Sequence, residues 1–145
     1  MTGSSHPGEA TRPGRSPVRV LVVEDYADLR EILCRVLELQ GYGVQPAGDG
    51  REALELFRSG SFDAVICDLG LPGMCGRDLV AQVRQLRPGT AVVVLTGLLT
   101  DDLASDAAAA GCDELLVKPL PSFKDLILAL ERALSRHRPA GSGSP

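Results

Sequence analysis

The sequence predicts an α/β fold, a doubly wound parallel sheet of five strands covered by helices on both faces. Three observations predict it. Short apolar runs alternate with amphipathic stretches of helical period, five times over. The runs are continuously apolar, as expected of strands buried on both faces. Several of them end abruptly in polar residues, and the carboxyl ends of strands are where open α/β sheets bind ligands.

The elements follow in order. Strand one is about Arg19–Val23. The next stretch places Leu29, Ile32, Leu33, Val36 and Leu37 on one helical face, and Gly41 stops that helix. Tyr42–Ala47 reads as a weak strand suited to an edge. A short helix carrying Ala53, Leu54, Leu56 and Phe57 ends near Gly60. Strand three is Ala64–Asp68, followed by a Gly/Pro-rich turn and a helix presenting Leu79, Val80, Val83 and Leu86. Strand four is Ala91–Thr96. Asp101 and Asp102 open an Ala-rich helix, where they complement the positive end of the helix dipole, and Gly111 ends it. Strand five is about Glu114–Val117. Ser122 with Asp125 resembles a capping box opening a last helix, whose buried face carries Phe123, Leu126, Ile127, Leu130 and Leu134.

Length and composition bound the class. The chain has 145 residues, enough for one domain, read as 18–137, between a Gly/Pro/Ser-rich arm over 1–17 and a similar tail over 138–145, both expected to be disordered. Aromatic residues make up only 3% and Trp is absent, so the core must be aliphatic. Net charge is −4, and the tails are net basic, so the middle is more acidic than the whole. That argues against a nucleic-acid partner, which needs a basic patch. Cys34, Cys67, Cys75 and Cys112 show no metal-finger spacing and read as small hydrophobes in a reducing compartment. No signal-peptide h-region and no membrane-spanning apolar stretch is present, and a cytoplasmic location is expected.

The polar strand ends carry the chemistry. Asp68 closes strand three, Glu24-Asp25 follow strand one, Thr96 ends strand four and Lys118-Pro119 follow strand five. Two carboxylates ending a buried strand repel each other unless a cation lies between them. Mg²⁺ takes oxygen ligands and keeps several waters, so a few carboxylates suffice to hold it. A carboxylate attacks phosphorus when metal and cation neutralise the incoming charge. Lys118 is one of two lysines in a chain that otherwise uses arginine, as if a compact charge were kept there. Each residue also has a bland reading: Asp68 as a turn cap, Asp25 as a helix cap with Glu24 exposed, Thr96 as an ordinary strand residue, and Lys118 as a surface lysine.

Four segments together resemble the receiver domain of bacterial two-component response regulators: Val-Val-Glu-Asp at 22–25, Asp-Leu-Gly-Leu-Pro-Gly-Met-Cys-Gly at 68–76, Leu-Thr-Gly at 95–97 and Lys-Pro-Leu at 118–120. They occur in the family's order, over about Pro17 to His137. The resemblance implies a flavodoxin-like fold with strand order 2-1-3-4-5. It implies phosphoryl transfer to Asp68 from a sensor histidine kinase or a histidine phosphotransfer protein. It implies Mg²⁺, with Mn²⁺ as a substitute, on Glu24, Asp25, Asp68 and the Gly70 carbonyl. It implies that Thr96 and Lys118 stabilise the phosphoryl group and that the Lys118–Pro119 peptide is cis. The chain departs from the family at Leu115, where an aromatic switch residue is usual, and at Gly70, which brings no side chain beside the site.

With only a short tail after the last helix, the expectation is a stand-alone receiver, not an enzyme. It would signal through protein contacts on the face of helix four, strand five and helix five, with Leu98, Leu99 and Leu103 as candidates. It would be a monomer or a phosphorylation-linked dimer. A phosphorelay intermediate, a phosphate sink and a phosphorylation-independent scaffold stay open. A Mg²⁺-dependent phosphohydrolase would need a second acid at position 70, and a flavodoxin-like cofactor binder would be repelled by Glu24-Asp25.

Overall fold

Period-two alternation within continuously apolar strands sends neighbouring side chains to opposite faces and so builds two cores at once. The structure is a computed structural model describing residues 17–71, 73–97 and 100–137. Among these residues, strands and helices alternate as β1 (Arg19–Val23), α1 (Ala27–Leu39), β2 (Gly43–Ala47), α2 (Gly50–Ser59) and β3 (Ala64–Asp68). They continue as α3 (Gly76–Leu86), β4 (Ala91–Thr96), α4 (Asp101–Ala110), β5 (Glu114–Val117) and α5 (Phe123–Arg136). All pairings are parallel, in the order β2-β1-β3-β4-β5. The expected α/β sheet and strand order are what the chain adopts.

Val20, Val22, Ile66, Val93 and Leu95 pack under α1 and α5 with Leu33, Leu37, Leu126 and Leu130. Leu21, Val23, Val65, Cys67, Val92 and Val94 pack under α2 and α3 with Phe57, Leu79 and Val83. Full burial of each such side chain stabilises the fold by roughly 1.5–3 kcal/mol. β3 and β4 are buried at every position, whereas the edge strands β2 and β5 are only partly covered. Pro46 is tolerated in β2 because that strand lies at an edge.

The helix ends obey their sequence signals. Gly41 takes φ 96°, and its N–H donates to Glu38 O at 2.9 Å. Gly111 takes φ 109° at the end of α4. Ser122 Oγ accepts from Lys124 N–H, the serine half of the expected capping box. Asp49 caps α2 by accepting from Glu52 N–H, a cap the sequence reading did not single out.

Three residues assigned to buried faces are exposed instead: Ile32, Leu86 and Phe123. The buried stripe of α1 centres on Leu33 and Leu37, which turns Ile32 outward. Leu86 and Phe123 are terminal helical residues, where a helix runs past the sheet it covers. Tyr42 lies before β2 rather than in it, and its ring enters the core beside Leu37. α4 buries only Ala107 and packs against α3. The arm before Pro17, the tail after His137, and Leu98 and Leu99 lie outside the described residues.

Candidate functional site

The strand order sets β1 beside β3, β3 beside β4 and β4 beside β5, so their carboxyl ends meet along one edge. Helices α1 and α3, which follow β1 and β3, leave the sheet on opposite faces, which makes the β1/β3 junction the switch point of the topology. The polar strand ends converge there.

Asp68, the last residue of β3, is 6% exposed, and Glu24, just beyond β1, is 1% exposed. Lys118 Nζ bridges them, at 2.8 Å from Asp68 Oδ2 and 3.2 Å from Glu24 Oε1. Asp68 Oδ1 accepts from Gly70 N–H at 2.9 Å, and Glu24 Oε2 accepts from Tyr26 N–H at 3.2 Å. The turn-cap reading of Asp68 is therefore true of one oxygen, while the other faces the ammonium. Asp25 is exposed and does not cap α1, whose N-cap is Tyr26 without a side-chain bond. Glu24 is the buried acid of the pair.

Carboxylate oxygens of Glu24, Asp25 and Asp68 all lie within 4.8 Å of one another. One ammonium serves the two buried members. Burial, reinforced by the neighbouring Asp68 carboxylate, holds Glu24 above the usual carboxylate range. Burial alone would lower Lys118, but its bonds and attraction to Asp68 and Glu24 outweigh that and raise it. Three clustered hard oxygen donors with too little positive charge suit a small divalent cation such as Mg²⁺.

Thr96 ends β4 at 4% exposure, and its carbonyl accepts from Lys118 N–H at 2.7 Å, joining the two strand ends. The Lys118–Pro119 peptide is cis. Leu115 is half-buried in β5, pairs with Val94 and packs against the α2/α3 core. Gly70 is exposed, and a methyl group there would meet only Asp68 Oδ1, at 3.6 Å. Burial, then the nearby Asp68 and Glu24 carboxylates, pushes the Cys67 thiol well up, consistent with an inert packing role. All four cysteines are free, though only Cys67 is fully buried.

Two contributors escaped residue-by-residue reading. A Cβ on Gly76 would lie 2.4 Å from Asp68 O, so only glycine lets α3 start against the end of β3. The available signal was a glycine opening a helix shortly after a strand-end acid. Arg30 Nη1 donates to Glu24 O at 2.9 Å, and in sequence it is one arginine among many.

The comparisons agree with this geometry. The family model of the response regulator receiver domain matches residues 20–131. The transcriptional regulatory protein TcrA of Mycobacterium tuberculosis is 39% identical over 142 residues, 96% of this chain and 54% of its own length. A CheY-like receiver domain protein from Methanospirillum hungatei superposes with TM-score 0.79 at 28% identity, covering 83% of this chain and 95% of that one. The response regulator TrrA of Thermotoga maritima, solved in complex with Mg²⁺–BeF, gives TM-score 0.72 at 32% identity, covering 80% and 98%. The chain spans about half the length of several curated relatives it matches. By its matching family model, its fold and its relatives, the chain belongs to the response-regulator receiver-domain family.

Proposed function

We propose that residues 18–137 form a phospho-accepting receiver whose acceptor is Asp68. The observation that carries this is the Glu24–Asp25–Asp68 cluster with Lys118 across its two buried members. Glu24, Asp25, Asp68 and the Gly70 carbonyl would hold Mg²⁺, with Mn²⁺ as a substitute. The bound cation would neutralise charge on the phosphoryl oxygens as they approach a carboxylate. An Asp68 carboxylate oxygen attacks phosphorus and displaces the donor's leaving group. Gly70 N–H and Lys118 keep the carboxylate aligned for that attack. Thr96 and Lys118 then receive the transferred group's oxygens.

The donor is a small acyl phosphate or a phosphohistidine, the latter presented by a sensor histidine kinase or a histidine phosphotransfer protein. Output is a protein contact on the α4–β5–α5 face, within a longer chain or with a separate partner. A hollow of about 340 Å³ on the β5–α5 part of that face supports the reading, lined by Leu116, Val117, Leu120, Pro121, Leu128, Asp125 and Arg132. Leu115 occupies the switch position, and with no ring to move there, any coupling from Thr96 to that face runs through a leucine rotamer change. Leu103, half-buried in α4, is the described member of the three leucines expected there.

Intact mass spectrometry after incubation with Mg²⁺ and a small phosphodonor tests the assignment. One added phosphoryl group is expected, absent with EDTA and absent in Asp68→Asn. An adduct that persists in Asp68→Asn would move the acceptor elsewhere.

A further inference from the structure

Asp25 is the exposed carboxylate of the cluster, so its direction depends on the backbone that carries it. The carbonyls on either side of Asp25 are both held by Arg30. Its Nη1 donates to Glu24 O at 2.9 Å, and its backbone N–H donates to Tyr26 O at 2.9 Å. The turn is closed from inside by Tyr26 N–H on the Glu24 carboxylate. The guanidinium also rests against the turn between β2 and α2, where a Cβ on Gly48 would lie 3.3 Å from Nη1. That turn is itself fixed, with Gly48 N–H donating to Glu52 Oε1 at 2.8 Å.

We infer that Arg30 is a positioning residue for the divalent-cation site, its bond to the Glu24 carbonyl aiming the Asp25 carboxylate. The inference rests on the metal-site reading above. Two effects of the side chain oppose each other, which makes the test decisive. Its positive charge, one hydrogen bond from the Glu24 backbone, disfavours cation binding nearby. Its hydrogen bond orders a ligand-bearing turn, and groups that orient metal ligands are typically worth a tenfold or greater change in affinity. Positioning is the larger effect.

Calorimetric titration of Mg²⁺ into the intact chain separates them. Arg30→Met is expected to weaken binding about tenfold, although loss of charge alone would tighten it. Arg30→Lys, which restores a donor together with the charge, recovers most of the affinity. Gly48→Ala crowds the guanidinium without changing charge and shifts affinity in the same direction as Arg30→Met. In an Asp25→Asn background the advantage of Lys over Met at position 30 disappears and only the opposing charge effect is left, which a merely structural role would not produce. Equal or tighter binding by Arg30→Met overturns the inference, as does an advantage of Lys over Met that survives without Asp25. A wild-type chain that takes up no Mg²⁺ overturns both the inference and the site reading beneath it.

Discussion

The two ends of the sheet treat their carboxylates in opposite ways. At the amino end, Asp113 accepts from Val92 N–H at 2.8 Å and pairs with Arg84 at 3.3 Å. His137 Nε2 lies 2.9 Å from both of its oxygens. Asp63 accepts from Arg19 N–H, and Glu114 is flanked by Arg132 and Arg136. At the carboxyl end, three carboxylates gather and the two buried ones share a single ammonium. The same residue types are fully matched by protein where they close loops, and left short of positive charge at the switch point of the sheet. The lesson is that a candidate metal-binding acid is recognised by what its neighbours leave undone, since low exposure alone hardly separates the side chains of Asp113 and Asp68, at 12% and 9%.

The comparison is broken most severely at Lys118. Lys118→Met leaves two buried carboxylates without a cation, which is expected to cost about 3 kcal/mol of stability in the metal-free protein. Mg²⁺ should restore much of that loss, so urea denaturation with and without Mg²⁺ reads it directly. Gly76→Ala comes next. Its methyl group would collide with the backbone of Asp68 and Leu69, at an expected cost of roughly 1–3 kcal/mol by the same measurement. It should also impair phosphoryl acceptance, because the strand end that carries Asp68 must shift.

At the opposite end, Asp113→Ala orphans Val92 N–H and removes the carboxylate partner of Arg84, whose guanidinium keeps the Pro88, Thr90 and Gly111 carbonyls, at about 1–3 kcal/mol. It should leave Mg²⁺ affinity unchanged. A change in that affinity would blur the division between the two ends.

The smallest effect is in pH dependence. Glu24 in the fold titrates above its unfolded value because burial and Asp68 disfavour its charge. Between the ordinary carboxylate pKa and that raised value, the folded chain binds more protons than the unfolded one. Glu24 therefore contributes a loss of stability as pH rises through this window. Glu24→Gln is expected to flatten the slope of Tm against pH in EDTA, and saturating Mg²⁺ should flatten it in the wild type. A slope identical in Glu24→Gln would contradict the assignment.

Much of this was legible in the sequence for identifiable reasons. Central strands β3 and β4 are continuous Val/Ile/Leu/Ala runs bounded by turn signals, so their limits follow from hydrophobicity alone. Glu24, Asp68, Thr96 and Lys118 were visible because polar residues cut those runs short. Ile32 and Phe123 were misplaced because helical period gives a stripe but not which part of it meets the sheet. The cap at Asp49, the contact at Gly76 and the reach of Arg30 were not legible as such. Each depends on which loops lie side by side, and that is set by the strand order rather than by local spacing.

The most direct test of the contrast is a Mg²⁺ titration at neutral pH of wild type, Asp68→Asn and Asp113→Asn, followed by calorimetry. The account predicts one site per chain, strongly weakened by Asp68→Asn and untouched by Asp113→Asn. Binding that ignores Asp68→Asn, or that falls equally in both variants, would contradict it.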